Sequence, residues 1–221
     1  MTGDPHRDQP VLTAGRKLPD AAGAMILLHG RGASAEDILG LAEELDRPDL
    51  LLLAPQAAGN TWYPYSFLAA IEENEPALTS SLNKVKNVVG EIARGGIPHD
   101  KIVIMGFSQG ACLASQFVAR NATRYGGLIA FTGGLIGPPE TKFRYEGNLG
   151  GMPAFLASGD PDVHVPWQRV EQSASVFSGM GAEVTLRRYP GMSHTISRQE
   201  IDEARKLLAR IFQLAAIDSN R

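Results

Sequence analysis

Cysteine is nearly absent from this chain, which has only Cys112 among its 221 residues. A single thiol excludes an internal disulfide framework and any zinc or iron–sulfur site built from several cysteines. Long apolar runs are absent too, since segments such as residues 24–28 and 50–54 are far shorter than the roughly 18 residues that span a bilayer. We therefore expect no metal centre built on cysteines and no stable insertion into a membrane.

An excess of positive charge is also missing. The chain carries 21 lysine and arginine residues against 24 aspartate and glutamate residues, a formal net charge of −3. No basic stripe is available to neutralise a run of phosphates, so nucleic acid is not an expected partner. The first ten residues, MTGDPHRDQP, lack the apolar stretch of a signal peptide, and we therefore predict a cytoplasmic protein.

The composition that remains is globular, with 43% hydrophobic and 20% charged residues. Short apolar segments alternate with segments of helical periodicity. Strands are predicted at residues 24–29, 50–54, 101–107, 128–131, 154–157 and 184–189, and helices after Ser34 and at 82–92, 111–120, 167–177 and 198–214. This alternation is typical of one α/β domain, here 1–221, with a mostly parallel sheet between two helical layers. Residues 1–23 are predicted to be a loose arm that adds one edge strand.

The segment GFSQG, residues 106–110, has the form G-x-S-x-G and lies between a predicted strand and a predicted helix. In that context the motif is typical of a sharp turn that exposes the hydroxyl of the central serine as a nucleophile. We therefore predict that Ser108 is a catalytic nucleophile, the alternative being a tight turn with an incidental serine.

To act as a nucleophile, a serine hydroxyl needs a base that takes its proton and an acid that orients the base. In enzymes with this motif the three residues follow along the chain in the order serine, acid, histidine. Asp160 and Asp162 both follow the predicted strand at 154–157, and the spacing G-x-x-D-x-x-V-P favours Asp162 as the acid. The alternative, Asp160, is then a turn residue. His194, in a turn-rich loop after the last predicted strand, is the one histidine of five with both the required order and a loop setting.

Two backbone N–H groups are expected to stabilise an oxyanion that develops on the substrate. The first belongs to Gln109, directly after the nucleophile, and the second to Arg31 in the glycine-flanked loop HGRG. The alternative for that loop is an ordinary turn.

Aromatic residues cluster in the long segment 56–78, which breaks the strand–helix rhythm. Such a cluster in a long loop favours a binding wall, and we predict that Trp62, Tyr63 and Phe67 line the substrate pocket. The alternative is a loop packed on itself. Cys112 lies in the apolar helix after the motif, where we expect a small core residue.

Taken together, LLHGRGAS, LLLLAPQ, KIVIMGFSQGACLA, FTGGL, SGDPDVHVP and YPGMSHTIS resemble the phospholipase/carboxylesterase family of α/β-hydrolases, which includes the acyl-protein thioesterases. The resemblance covers roughly residues 24–215 and implies an α/β-hydrolase fold without a large cap domain. It implies Ser108, Asp162 and His194 as the catalytic triad and the amides of Arg31 and Gln109 as the oxyanion hole. Two features depart from the family pattern, namely Ala111 in place of a second glycine and the aromatic loop NTWYPYSF.

The expected activity is hydrolysis of a small-molecule carboxylic ester through an acyl-enzyme, with no cofactor and no metal. Thioester or lysophospholipid hydrolysis is the alternative within the family. A non-catalytic ligand-binding protein on the same fold is the alternative of another class, because a fold does not fix a function. The sequence leaves open whether the chain is a monomer or a homodimer.

Overall fold

A computed structural model describes residues 3–218, with side chains described to residue 212. Within this range the chain forms seven strands and five α-helices, which alternate from the second strand onward except that β6 follows β5 without a helix between them. The strands are β1 Val11–Gly15, β2 Ala24–Leu28, β3 Leu51–Pro55, β4 Ile102–Phe107, β5 Gly127–Phe131, β6 Pro153–Asp160 and β7 Glu183–Pro190. The helices are α1 Ala35–Glu43, α2 Ala77–Arg94, α3 Gln109–Arg120, α4 Trp167–Gly179 and α5 Arg198–Asp218.

All seven strands belong to one sheet in the order β1-β3-β2-β4-β5-β6-β7. Only the edge strand β1 among these seven runs antiparallel to its neighbour, while every other pair is parallel. The predicted α/β-hydrolase class is confirmed. The strand order reverses between β2 and β4, and in such sheets ligands bind beyond the carboxyl ends of the strands at that point.

Each buried strand has apolar side chains on both faces, as a parallel sheet between two helical layers requires. In β4, Ile104 packs into the core under α2, α3 and α4, whereas Val103 and Met105 pack into the core under α1 and α5. Helix α1 begins at the capping box that Ser34 forms with Asp37, in which each side chain accepts a hydrogen bond from the other's backbone N–H.

The predicted loose arm is not loose around His6. The edge strand expected there is present as β1, but the segment before it is anchored through His6, which is only 1% exposed. Its Nε2 lies 2.9 Å from the Trp62 carbonyl oxygen, and its Nδ1 accepts the N–H of Ala58 at 3.0 Å. The expectation failed because the partners of His6 lie more than fifty residues away along the chain.

Candidate active site

Ser108 lies at the turn between β4 and α3, where the parallel strands end. Its φ of 53° and ψ of −118° are a backbone conformation that non-glycine residues rarely adopt and that costs free energy. The Ser108 N–H donates to the carbonyl of Phe131 on the neighbouring strand β5 at 3.0 Å, which fixes the turn to the sheet. The serine hydroxyl is thereby held above the edge of the sheet, at the N-terminus of α3.

Two glycines of the motif make this turn possible. A Cβ at Gly106 would collide with the backbone of Gly110, and a Cβ at Gly110 would collide with the carbonyl of Leu28 on β2. Ala111, where the family pattern has glycine, is accommodated by Gly133 on the next loop. A Cβ at Gly133 would lie 2.5 Å from the Cβ of Ala111, so only one of the two positions has room for a side chain.

Three side chains from three different loops form a hydrogen-bonded chain at this edge of the sheet. Nε2 of His194 lies 2.8 Å from the hydroxyl oxygen of Ser108, and Nδ1 of His194 lies 2.8 Å from a carboxylate oxygen of Asp162. In the tautomer that satisfies both contacts, Nδ1–H donates to the carboxylate and Nε2 accepts the serine proton. The structure thus brings together the three residues that the order along the sequence had singled out.

Asp162 is held in place by the backbone of its own loop. Its second carboxylate oxygen accepts the N–H of His164 at 2.8 Å and the N–H of Val165 at 2.9 Å. Burial alone would raise the pKa of Asp162, but these two N–H groups and His194 outweigh it and keep that pKa below its usual value. The carboxylate is therefore charged at neutral pH and fixes the orientation of the imidazole.

Asp160, the other candidate acid, faces elsewhere. Its carboxylate pairs with the guanidinium of Arg188 on β7, whose Nε donates to it at 2.6 Å. It lies at the end of β6, two residues before the loop turns toward His194.

The loop that carries His194 passes very close to the loop that carries the acid. A Cβ at Gly159 would collide with the carbonyl of Met192, so this approach requires glycine. Two rings flank the imidazole of His194: Phe107 with a centroid distance of 5.3 Å and His164 with a centroid distance of 4.8 Å in an edge-to-face arrangement. The packing leaves the His194 side chain 18% exposed, on the side of the cavity.

The two predicted oxyanion amides belong to residues that line the same cavity as Ser108 and His194. The N–H of Gln109 lies in the first turn of α3, where helix geometry supplies no acceptor. Arg31 follows the carboxyl end of β2, the strand beside β4 in the sheet. Neither N–H has a hydrogen-bond acceptor among residues 3–218, so both remain available to a ligand.

A cavity of about 460 Å³ opens beside Ser108 and His194, a size suited to a small molecule. Of the predicted pocket residues, Tyr63 and Phe67 line it. The other lining residues are Gly30, Arg31, Ala33, Pro64, Tyr65, Ser66, Phe107, Ser108, Gln109, Cys112, His164, Val165 and His194. This set contains arginine and histidine and lacks aspartate and glutamate, so the wall does not repel a neutral or anionic ligand.

Trp62 is not a lining residue, and its prediction as pocket wall is wrong. It is completely buried between the rings of His29 and His6, with centroid distances of 4.9 Å and 5.7 Å. Its indole N–H donates to the carbonyl of His29 at 2.9 Å. The alternative, a packed loop residue, is correct for Trp62, because two buried histidines supply both its stacking partners and its hydrogen-bond acceptor.

Two side chains that sequence reasoning had not singled out hold the aromatic loop against the site. The guanidinium of Arg31 donates to the carbonyls of Tyr63, Pro64 and Tyr65 at 3.0, 2.8 and 2.6 Å. The side-chain amide of Gln109 accepts the N–H of Trp62 at 2.9 Å and donates to the carbonyl of Tyr63 at 2.8 Å. Their partners are backbone groups some 30 to 50 positions away, and contacts over that distance cannot be read from the local sequence.

Cys112 is the small buried residue expected from its position in α3, and its side chain also contributes to the cavity wall. Burial raises the pKa of its thiol to about 12. Because the thiolate is the reactive form, Cys112 is not a competing nucleophile at neutral pH.

Within residues 3–218, whose side chains are described to residue 212, no cluster of three histidine, cysteine, aspartate or glutamate side chains is placed to ligate a metal ion. Over the same residues, no helix is both long enough and apolar enough to cross a bilayer.

Known proteins resemble this chain in family, in sequence and in structure. The family model described as phospholipase/carboxylesterase matches residues 13–211. Acyl-protein thioesterase 1 of Eremothecium gossypii is 30% identical over 217 residues, covering 88% of this chain and 90% of the relative. Acyl-protein thioesterase 1 homolog 1 of Dictyostelium discoideum is 27% identical over 215 residues, covering 88% of this chain and 93% of the relative.

A protein of known structure has a higher sequence identity to this chain than either of these two relatives. The phospholipase/carboxylesterase from Dyadobacter fermentans superposes with a TM-score of 0.88 at 44% sequence identity, over 91% of this chain and 97% of that one. The family match over most of the chain, together with this fold, establishes the kinship that the motifs had implied. The chain belongs to the phospholipase/carboxylesterase family of α/β-hydrolases, whose members are hydrolases of the esterase and thioesterase type.

Proposed function

We propose that this protein hydrolyses carboxylic esters of small molecules through a covalent acyl-enzyme on Ser108. The observation that carries the proposal is the hydrogen-bonded chain from Ser108 through His194 to Asp162, which opens into the cavity. A serine aligned with a histidine base, itself oriented by a carboxylate, is the arrangement that activates a hydroxyl for attack on a carbonyl.

In the first half of the reaction, His194 takes the proton of the Ser108 hydroxyl as the serine oxygen attacks the ester carbonyl. Asp162 stabilises the imidazolium that forms and does not itself take the proton. His194 then protonates the alcohol as it leaves, and the acyl group remains on Ser108. In the second half, His194 activates a water molecule that releases the acid and regenerates the hydroxyl.

Negative charge develops on the carbonyl oxygen in both halves of the reaction. The N–H groups of Gln109 and Arg31 are the proposed donors to that oxygen, aided by the positive potential at the N-terminus of α3. Removing one such donor lowers kcat by about 10²- to 10³-fold in enzymes of this kind. Because both donors are backbone groups, the side chains of these two residues are free to hold the aromatic loop.

Thioester hydrolysis is the second candidate, favoured by the two acyl-protein thioesterase relatives. The same nucleophile, base and oxyanion donors serve a thioester carbonyl. We place carboxylic esters first because 44% identity to a phospholipase/carboxylesterase structure exceeds the identity to the thioesterases. To rank these activities, kcat/KM is measured with one protein preparation on an acyl thioester, a lysophospholipid and a short oxygen ester.

A non-catalytic ligand-binding protein is the opposing class. It does not account for the strained backbone of Ser108 or for an imidazole aligned on that hydroxyl, since neither is needed to enclose a ligand.

The test is steady-state hydrolysis of p-nitrophenyl acetate and p-nitrophenyl butyrate. We expect turnover by the wild-type protein and a loss of at least about 10³-fold in kcat for Ser108→Ala. Ser115→Ala is the matched control, because Ser115 is a buried serine on α3, the helix that begins directly after Ser108, and that variant should retain activity. Equal rates for the wild type and Ser108→Ala would refute the proposal.

A further inference from the structure

The guanidinium of Arg31 is a positive charge at the wall of the active-site cavity that has no negative partner. It donates to the carbonyls of Tyr63, Pro64 and Tyr65, and all three of these residues line the cavity. No carboxylate forms an ion pair with it among the side chains that the structure describes. Because carbonyl oxygens carry only partial charge, they satisfy N–H groups without neutralising the cation.

The Arg31 guanidinium also keeps donors for a ligand. A guanidinium has five N–H donors and stays charged in proteins. The three bonds to the aromatic loop leave one N–H on Nε and one on Nη1 without an acceptor among the described residues. Arg31 is exposed, so an oxygen of a ligand can reach these donors. Their strongest partner is an ionised carboxylate, because such charge-assisted bonds are about twice as strong as neutral ones.

A second arginine lies behind the cavity wall. The guanidinium of Arg169 is buried, donates to three backbone carbonyls of the loop after β5, and lies 5.9 Å from the ring centroid of Phe67, a lining residue. It forms no ion pair with any described carboxylate either; Glu140, the acidic side chain near it, is exposed and does not bond to it. Its charge therefore adds to the positive potential on this side of the site.

No negative group of the cavity offsets these two charges. The lining residues include no aspartate or glutamate. Burial raises the pKa of the Tyr63 hydroxyl and of the Cys112 thiol, so both stay neutral at physiological pH. The Asp162 side chain is 0% exposed, and its carboxylate faces His194 and the backbone of its own loop. The cavity is thus a positively charged space beside the nucleophile.

We propose that the cavity selects esters whose acyl or alcohol part carries a carboxylate, and that the Arg31 guanidinium binds this carboxylate. An uncharged alkyl group seated against the guanidinium would displace water from the cation and offer no acceptor in return, which is unfavourable. A positively charged group would be repelled. This inference rests on the proposed esterase function and names its substrate class as anionic esters.

The experiment uses two series of three esters that differ only in the charge of one end group. The end groups are carboxylate, isopropyl and trimethylammonium, which are similar in size. On the acyl side the series is mono-p-nitrophenyl adipate, p-nitrophenyl 6-methylheptanoate and p-nitrophenyl 5-(trimethylammonio)pentanoate. On the alcohol side it is 4-acetoxybutanoate, 4-methylpentyl acetate and 3-(trimethylammonio)propyl acetate, followed by acid release at constant pH.

The variants separate the charge of Arg31 from its role in holding the aromatic loop. Arg31→Met and Arg31→Lys both lose the planar group that bonds to three carbonyls, but only Arg31→Lys keeps the positive charge. A difference between them therefore reports the charge. Arg144→Met removes the charge of an exposed arginine that does not line the cavity and is the control. Thermal unfolding of each variant establishes that it is folded.

We expect the wild type to favour the carboxylate member of at least one series over the isopropyl member by about fivefold or more in kcat/KM, with the trimethylammonium member the poorest. Arg31→Met should lose this preference, Arg31→Lys should keep a part of it, and Arg144→Met should keep all of it. Dividing the wild-type ratio by the variant ratio removes the intrinsic reactivity of the esters. Raising the salt concentration from about 0.02 M to about 0.5 M should lower the wild-type ratio, because salt screens the attraction.

Three outcomes would overturn the inference while leaving ester hydrolysis established. They are equal kcat/KM values within both series, a preference for the carboxylate that survives unchanged in Arg31→Met, and equal ratios in Arg31→Met and Arg31→Lys. The last would mean that the bonds to the loop, and not the charge, set the preference. Failure of the wild type to hydrolyse any of the six esters would instead count against the proposed function.

Discussion

At the scale of single residues, Asp160 and Asp162 show how position alone separates two identical side chains. They lie two residues apart. The carboxylate of Asp160 pairs with Arg188 on the neighbouring strand, whereas that of Asp162 accepts hydrogen bonds from the ring of His194 and from two backbone N–H groups. The sequence spacing favoured Asp162 without excluding Asp160, because spacing does not reveal which way a loop turns.

We therefore expect Asp162→Asn to lower kcat for ester hydrolysis by roughly 10⁴-fold, the effect of the same change in a serine protease triad. The amide cannot hold the imidazole in the required tautomer or stabilise its charged form. Asp160→Asn removes a carboxylate of the same size two positions away, at the end of β6, and is the matched control. Its kcat should stay within about twofold of the wild type, because the ion pair that is lost lies at the surface and such pairs contribute little free energy. The opposite ranking of the two variants would move the role of acid to Asp160.

At the scale of elements, the aromatic loop between β3 and α2 is positioned by side chains of the loop after β2 and of α3. Arg31 donates to three successive carbonyls of this loop, and Gln109 bonds to two of its backbone groups. The same two residues provide the proposed oxyanion amides. The loop that shapes the pocket is thus held by the same residues whose backbone N–H groups are the proposed oxyanion donors.

Arg31→Met keeps the backbone N–H and the length of the side chain but removes all three hydrogen bonds. We expect KM to rise roughly three- to tenfold, the loss of about one net hydrogen bond, with a smaller change in kcat. Arg144→Met, a change at an exposed arginine away from the cavity lining, is the control and should leave both constants unchanged. A fall in kcat with KM constant would show that the Arg31 side chain acts on the transition state and does not position the loop.

The elements themselves were largely predictable, while the contacts between distant segments were not. GFSQG between an apolar strand and an apolar helix predicts Ser108 at a turn, because only glycine fits beside β2 and the start of α3. The burial of Trp62 was missed, since it depends on His6 and His29, which lie far away in the sequence. An aromatic residue in a loop looks the same in the sequence whether it faces a pocket or the core.

At the scale of the whole molecule, two buried histidines join the N-terminal segment, the end of β2 and the aromatic loop. His6 and His29 each accept a backbone N–H through one ring nitrogen, from Ala58 and Ala57 respectively, so each is neutral. Burial lowers the pKa of both below the ordinary value of 6.5. Protonation of either ring would remove the nitrogen lone pair that accepts the backbone N–H. It would also place a positive charge beside the Trp62 ring.

Because the folded state binds these protons less tightly than the unfolded state, the stability they contribute is present above pH 6.5. It is lost progressively as the pH falls through their lower folded-state pKa values. We expect the free energy of unfolding, measured by urea titration, to decrease between pH 6.5 and pH 5. His6→Asn, which keeps an acceptor toward Ala58 and cannot be protonated, should show a smaller decrease.

His99→Gln is the control for that series, since His99 is exposed and lies outside this cluster. Its stability should fall with pH as steeply as that of the wild type. A slope for His6→Asn equal to the wild-type slope would contradict the assignment of this acid sensitivity to His6.

The most direct test of the central claim, that Ser108 is a nucleophile activated by His194, is covalent labelling by a fluorophosphonate followed by intact-mass and peptide mass spectrometry. We expect the wild type to gain one phosphonyl group, located on the peptide that contains Ser108. Ser108→Ala should gain none, and His194→Ala should react far more slowly, because the hydroxyl then lacks its base. Absence of labelling in an active wild-type preparation, or labelling on another residue with Ser108 unmodified, would contradict the claim.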